Sequence, residues 1–248
     1  MSHHFFISRN WIAPPEVTLF DNVARQIKVV LRMKVGEQII VLDGSGRAWL
    51  VELTQIGQHT VYGRILNVVM LHSEPTVSVT LYQGTLKGQK FEWVLQKGTE
   101  LGVSRFVPLI CEHSVVTDMA SLAKKVTRWE RIIQEAAEQS KRTKLPILAP
   151  PQHFPEAVAE FDSDSFDSSG LALMPWEKSH DVSLKERLGT SKATQISVFI
   201  GSEGGFSQVE IEQATQHGMS LVTLGPRILR AETAGIATCA AIFYEYEV

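Results

Sequence analysis

The 248-residue sequence has little of what characterises secreted proteins, metal sites or membrane spans. Its two cysteines, Cys111 and Cys239, match no CxxC or Cys/His spacing, so neither a disulfide framework nor a structural zinc site is indicated. No apolar run approaches the roughly 18 residues that a bilayer crossing needs, and the amino terminus lacks the apolar stretch of a signal peptide. We therefore expect a cytoplasmic protein without a metal.

An excess of positive charge is also absent, because 24 Lys and Arg stand against 27 Asp and Glu, a net charge of −3. This balance excludes a uniformly basic nucleic-acid coat. Residues 124–144 nevertheless carry a local charge of +4. Its basic residues are Lys124, Lys125, Arg128, Arg131, Lys141, Arg142 and Lys144, against the acidic Glu130, Glu135 and Glu138. The hydrophobic content of 44% is that of a chain that folds. We therefore expect a folded protein in which positive charge is concentrated in residues 124–144.

The first part of the chain has the pattern of a small β domain. The β-prone runs QIIVL (38–42) and RAWLVEL (47–53) flank Asp43-Gly44, a strong hairpin signal. We expect residues 1–74 to form this domain and residues 75–248 to form a second one.

From residue 76 the sequence alternates between strand and helix patterns, which predicts an α/β fold with a largely parallel sheet. The expected strands are residues 76–82, 103–110, 170–174, 197–200 and 220–224. The expected helices are residues 91–101, 121–140, 208–218 and 232–244, and residues 161–169 are expected to form an acidic, serine-rich loop.

Three strand ends in this second part open into unusual loops. They are LMPWE (173–177), GSEGGFS (201–207) and LGPRILRAETA (224–234). Glycines permit positive φ and close main-chain approach, and open α/β sheets bind ligands at the carboxyl ends of their strands. Neither GxGxxG nor GxxxxGK[ST] is present, so neither a dinucleotide nor a nucleoside triphosphate site is indicated.

IGSEGGFSQVE (200–210), LGPRILRAETA (224–234) and QKGTELGV (96–103) followed by RFVPL resemble the RsmE family of 16S rRNA uridine methyltransferases. The resemblance covers nearly the whole chain. It implies a SPOUT-type α/β knot, a trefoil knot, with an amino-terminal PUA-like RNA-binding β-barrel. It also implies methyl transfer from S-adenosylmethionine to N3 of a uridine, U1498 of 16S rRNA, on the assembled small ribosomal subunit. The enzyme would be a homodimer with its active site near the dimer interface.

By this resemblance, the three loops bind the cofactor. The expected cofactor residues are Leu173, Met174, Pro175, Gly201, Glu203, Gly204, Gly205, Leu224, Gly225, Ile228, Leu229, Arg230, Thr233 and Ala234. The chain departs from the family pattern at Ser202, where proline is usual, at His4 and His113, where arginine is expected, and at Lys141, where a small residue is usual.

Uracil N3 cannot attack a methyl group until it loses its proton, so the site needs a base or donors that stabilise the anion. Arg230 is the expected donor, and Glu203, Glu232 or His113 are candidate proton acceptors. Simpler roles are also open. Glu203 can cap the following helix, and Arg230 with Glu232 can form a surface ion pair.

Phosphate contacts are expected from Arg128, Arg131, Lys141, Arg142 and Lys144, unless this segment is an ordinary solvated face. Two other functions compete. A non-catalytic RNA-binding or ribosome-assembly factor would need only the barrel and the basic segment, and it has no evident need for the glycine-containing loops. A Rossmann-type nucleotide-dependent enzyme conflicts with the missing phosphate fingerprint.

Overall fold

The structure, a computed structural model, describes residues 3–160, 170–179 and 182–246. The loop expected at residues 161–169 lies outside them. The strands are β1 (His3–Phe6), β2 (Ile12–Ala13), β3 (Glu16–Phe20), β4 (Gln38–Leu42), β5 (Ala48–Ile56), β6 (Thr60–Val69), β7 (Ser78–Gly84), β8 (Arg105–Ile110), β9 (Ile147–Leu148), β10 (Gln152–His153), β11 (Gly170–Pro175), β12 (Gln195–Ile200) and β13 (Ser220–Val222). The helices are α1 (Asp21–Arg25), α2 (Lys90–Leu101), α3 (Met119–Ala123), α4 (Val126–Gln139), α5 (Phe154–Glu160), α6 (Leu184–Gly189), α7 (Gln208–Gln216) and α8 (Ala231–Tyr246), with a 3₁₀ turn at Arg9–Trp11 and a π-helical turn at Gln26–Val30.

The first of two compact units contains Met1–Glu74 and Ala137–Leu145. Its six-stranded sheet has the order β1-β4-β5-β6-β3-β2. The hairpin predicted at Asp43-Gly44 is confirmed, since β4 and β5 pair antiparallel with Leu42 opposite Ala48. β1, which the sequence patterns did not reveal, joins β4 in parallel.

Glu74 binds the segment Ala137–Leu145 within this first unit. Its carboxylate lies 2.8 Å from the Arg142 guanidinium and accepts hydrogen bonds from the backbone N–H groups of Thr143 (2.7 Å) and Lys144 (3.0 Å). Burial acts to raise the pKa of Glu74, but the hydrogen bonds and the charge of Arg142 outweigh it and lower the pKa. The carboxylate is therefore held ionised by this segment.

The second unit contains Pro75–Ala136 and Pro146–Val248. Its sheet has the order β10-β8-β7-β12-β11-β13, with β9 beside β8, and every pairing is parallel, as predicted. Successive strand residues point to opposite faces. One face packs against residues of α2, α4, α6 and α8, and the other against α5 and α7. Strands buried on both faces explain the continuous apolar runs.

The single helix predicted at residues 121–140 is wrong, because the structure divides it into α3 and α4. The backbone N–H of Lys125 donates to the carbonyl of Leu122 at 2.9 Å, which closes a turn between the two helices. Leu122 and Trp129 pack in the same core cluster, so the apolar period continues across the break. Among the described helices, none combines the length and apolar composition required for a membrane span.

Candidate active site

A cavity of about 450 Å³ lies where β11 and β12 end and α8 begins, in the second unit. Its volume is typical of small-molecule sites, which measure about 300–1,000 Å³. The lining residues are Lys90, Pro175, Glu177, Ile200, Gly201, Ser202, Glu203, Gly204, Gly205, Phe206, Ile228, Leu229, Arg230, Ala231, Glu232 and Ala234. An adjacent cavity of about 90 Å³ is lined by Pro175, Trp176, Glu177, Thr223, Leu224, Gly225, Arg227, Ile228, Leu229 and Ala234. The three sequence-predicted loops are thus brought together.

The structure does not place Leu173, Met174 or Thr233 at either cavity. Leu173 and Met174 are fully buried, and because they are consecutive in β11 they enter the two core clusters on opposite faces of the sheet. Thr233 is exposed on α8. The cofactor contacts expected of these three residues therefore have no support from the cavity linings and stay predictions. The other predicted cofactor residues all line one of the cavities.

The second loop, Gly201–Gly205, folds back on itself. The backbone N–H of Gly205 donates to the carbonyl of Ser202 at 3.0 Å, and Gly205 has a φ of 69°. Gly204 is constrained differently, because a Cβ there would lie 2.6 Å from the Cβ of His113. Ser202, at the usual proline position, accepts a long hydrogen bond of 3.4 Å from the N–H of Gly204 through its hydroxyl. The turn therefore presents main chain to the cavity.

Lys90 lies between two carboxylates of the cavity wall. Its Nζ is 3.2 Å from Oε1 of Glu203 and 3.8 Å from Oε1 of Glu232. Glu203 also accepts a hydrogen bond from the backbone N–H of Lys87 at 3.1 Å. Burial opposes ionisation of Glu203, but these hydrogen bonds and the Lys90 charge outweigh it, so the pKa of Glu203 is lowered. Oε2 of Glu232 is buried and has no hydrogen-bond partner among the described residues.

Both simpler roles proposed for these acids are wrong. α7 is capped by Ser207 and Glu210, which form a reciprocal capping box, so Glu203 does not cap it. Glu232 pairs with Lys90 and not with Arg230. The exposed Arg230 has no acidic partner in the described part of the chain.

His113 supports the glycine loop. Its Nδ1 lies 3.1 Å from the carbonyl oxygen of Gly204. A carbonyl only accepts hydrogen bonds, so this contact uses Nδ1 as the donor. Since His113 does not line the cavity, we retain only Glu203 and Glu232 as candidate acceptors.

The basic residues predicted to contact RNA have different environments. Arg128 pairs with Glu92 at 2.7 Å, and Arg131 pairs with Glu135 at 2.8 Å, although both arginines are well exposed. Lys141 and Lys144 are exposed in the first unit. Arg142 is only 4% exposed and bound to Glu74, so the prediction that it contacts phosphate is wrong.

Sequence reasoning missed Lys90 and Glu177 as site residues. Lys90 begins α2, the helix that ends within the QKGTELGV motif, and this motif was the available signal for it. The site fits S-adenosylmethionine. It offers main chain at Gly201–Gly205, apolar contacts from Ile228 and Leu229, and an unpartnered acceptor in Oε2 of Glu232.

Residues 72–243 match the family model of an RNA methyltransferase domain, and residues 27–66 match that of an RNA methyltransferase PUA domain. A Bacillus subtilis protein named ribosomal RNA small subunit methyltransferase E is 32% identical over 94% of this chain and 92% of its own length. A Synechocystis protein of the same name is 33% identical over 98% of this chain and 77% of its own length.

Two solved structures resemble the whole chain. One is ribosomal RNA small subunit methyltransferase E from Neisseria gonorrhoeae bound to S-adenosylmethionine, with a TM-score of 0.86, 32% identity and coverage of 98% of this chain and 97% of that one. The other, a methyltransferase from Legionella pneumophila in complex with the same cofactor, has a TM-score of 0.86, 29% identity and the same coverage. This likeness confirms the predicted fold class, a SPOUT-type α/β knot with a PUA-like unit.

Proposed function

The chain belongs to the ribosomal RNA small subunit methyltransferase E family, and from this premise we propose that it methylates N3 of one uridine in 16S rRNA. The enzyme is an rRNA methyltransferase that uses S-adenosylmethionine. The proposed target is the family's U1498, methylated on the assembled small subunit in the cytoplasm during ribosome biogenesis. The observation that carries the proposal is the unpaired guanidinium of Arg230 beside the glycine loop of the cavity.

S-adenosylmethionine, when bound, supplies a methyl group on a positively charged sulfur. The main chain of Gly201–Gly205 and the side chains of Ile228 and Leu229 would hold it in the cavity. When uracil N3 loses its proton, negative charge spreads onto the two carbonyl oxygens of the ring. Arg230 is the donor available to stabilise that charge, since none of its donors is used by a described acidic side chain.

We assign proton acceptance to Glu232 in preference to Glu203. Glu203 uses its Oε1 for Lys87 and Lys90, and these contacts lower its pKa, so it accepts a proton less readily than an ordinary glutamate. Glu232 keeps Oε2 without a hydrogen-bond partner. Lys90 holds both carboxylates at the wall, and they differ in that only Glu232 has a buried oxygen without a hydrogen-bond partner among the described residues.

RNA contacts are proposed from Arg128 and Arg131 in the second unit and from Lys141 and Lys144 in the first. All four side chains are exposed, which phosphate contact requires.

We also propose a homodimer, with α8 contributing to the interface near the active site. Two residues of α8, Ala237 and Tyr244, are exposed, and Tyr244 has a relative exposure of 82%. Ile228, which lines the cavity, is 85% exposed. Exposed apolar patches mark protein contacts. Sedimentation equilibrium would show about twice the 27.6 kDa of the chain if this is right.

The direct test uses small ribosomal subunits that lack the modification, labelled S-adenosylmethionine and nucleoside analysis by mass spectrometry. The proposal requires 3-methyluridine at one position. Methylation at another atom would overturn the N3 assignment. Cofactor-independent RNA binding with no methyl transfer would favour the non-catalytic assembly factor.

Arg230→Ala should lower single-turnover methylation by about 100- to 1000-fold, as expected for loss of one preorganised donor to a developing anion. Cofactor affinity should change little, because the contribution is made in the transition state. Lys185→Ala, which removes an exposed charge on α6, is the control. A cofactor-affinity loss larger than the rate loss would make Arg230 a cofactor-binding residue instead.

A further inference from the structure

The cavity wall carries three acidic and two basic side chains, and only some of them form ion pairs with one another. They are Glu177, Glu203, Glu232, Lys90 and Arg230. Lys90 occupies Glu203 and Glu232. Within the described ranges, the side chains of Glu177 and Arg230 have neither an ion pair nor a hydrogen bond. Glu177 is therefore the acidic residue of this wall that has no ion-pair partner among the described residues.

Glu177 lies at the junction of the two cavities. It follows β11 by two residues and lines both the large and the small cavity. Its Oε1 is 3.8 Å from the point that a Cβ on Gly205 would occupy. The carboxylate thus faces the Gly201–Gly205 main chain, and a ligand lying on that main chain comes within the few ångströms over which a charge pair interacts.

The proposed cofactor changes charge in the reaction. The new bond forms between uracil N3 and the methyl carbon, while the bond between that carbon and sulfur breaks and its electron pair stays on sulfur. The sulfonium becomes a neutral thioether, and the N3 proton leaves the uracil. The substrate form of the cofactor carries one more positive charge than the product form, S-adenosylhomocysteine.

Resting on the proposed function, we propose that Glu177 is a specificity-determining residue that distinguishes S-adenosylmethionine from S-adenosylhomocysteine by this charge. Its attraction for the sulfonium favours cofactor binding and disappears when the methyl group is transferred. Glu177 therefore strengthens binding of the substrate form of the cofactor and leaves binding of the product form nearly unchanged. Since Glu177 is exposed, it pays little desolvation, and water screens its attraction to a moderate size.

The test is calorimetry on Glu177→Gln with three ligands: S-adenosylmethionine, S-adenosylhomocysteine and sinefungin, which carries an ammonium near the sulfonium position. We expect about tenfold weaker binding of the two cationic ligands, equivalent to about 1.4 kcal/mol. Binding of S-adenosylhomocysteine should stay within about twofold of the wild type. Glu177→Asp should recover part of the preference, because the charge remains.

Glu212→Gln is the matched control, because it removes an exposed carboxylate on α7 that lines neither cavity. Equal losses for all three ligands would overturn the inference and place Glu177 at their shared amino-acid end. Unchanged affinities in a Glu177→Gln protein with wild-type thermal unfolding would also overturn it. If the wild type binds none of the three ligands, the proposed function itself fails.

Discussion

Lys141 has a backbone conformation that its side chain disfavours. Its φ is 62°, in the left-handed region, and it lies two residues after the end of α4. The backbone N–H of Arg142 donates to the carbonyl of Ala137 at 2.9 Å, and that of Lys141 donates to the carbonyl of Glu138 at 3.4 Å. These are the two bonds of a Schellman motif, in which glycine is the usual residue at the Lys141 position. The left-handed conformation costs a residue with a Cβ about 1–2 kcal/mol.

Lys141→Gly should therefore raise the free energy of unfolding by about 0.5–1 kcal/mol, after the greater flexibility of glycine in the unfolded chain is subtracted. Urea denaturation followed by circular dichroism measures this. Lys144→Gly, three residues later and without a positive φ, should not stabilise the protein. Equal stability of the wild type and the Lys141→Gly variant would show that the motif tolerates lysine at no cost.

Local patterns identified the elements better than they identified the site. The apolar run at residues 170–174 predicted a strand, which β11 confirms, and the structure adds that this strand is buried on both faces. Because consecutive strand residues point to opposite faces of the sheet, the side chains of Leu173 and Met174 pack in the two core clusters and do not line the cavity. Their position beside a loop motif in the sequence could not show this. Lys90 meets Glu203 across 113 positions of sequence, so no local pattern could pair them. The break between α3 and α4 at Lys125 does not interrupt the apolar period, so the sequence pattern could not show it either.

At the scale of elements, the Glu74–Arg142 pair stabilises the first unit in a pH-dependent way. The folded-state pKa of Glu74 lies below its ordinary value of 4.5. A lowered carboxyl pKa contributes stability that is present above about pH 4.5 and is lost as the pH falls through the folded-state pKa.

Glu74→Gln should lower the free energy of unfolding by about 3 kcal/mol at pH 7, because the buried Arg142 guanidinium loses the ionised carboxylate that pairs with it. The difference from the wild type should shrink as the pH falls below the folded-state pKa of Glu74. Urea titrations across pH 3–7 measure it. Glu52→Gln, which breaks the more exposed pair with Arg64, should cost no more than about 1 kcal/mol. A pH-independent difference for Glu74→Gln would show that Glu74 is not ionised in the fold.

For the whole molecule, net charge gives no indication of RNA binding, and the distribution of free charge must be considered instead. Arg128 and Arg131 each have an acidic partner in the described structure. The ammonium groups of Lys141 and Lys144 have none among the residues it describes. The lysines are therefore available to phosphate without first breaking an ion pair.

We expect Lys141→Gln with Lys144→Gln to reduce the slope of log affinity against log salt by about 1.4–1.8, since each lost phosphate contact removes about 0.7–0.9. Arg128→Gln with Arg131→Gln should reduce it less, because Glu92 and Glu135 already partly neutralise these arginines. Filter binding of a 16S rRNA fragment between about 50 and 200 mM salt measures both slopes.

Lys178→Gln with Lys185→Gln removes two other exposed lysines and serves as the charge-matched control. A slope unchanged in both test variants would make the basic segment a solvated face. A larger loss in the arginine variant would show that RNA displaces the two glutamates on binding.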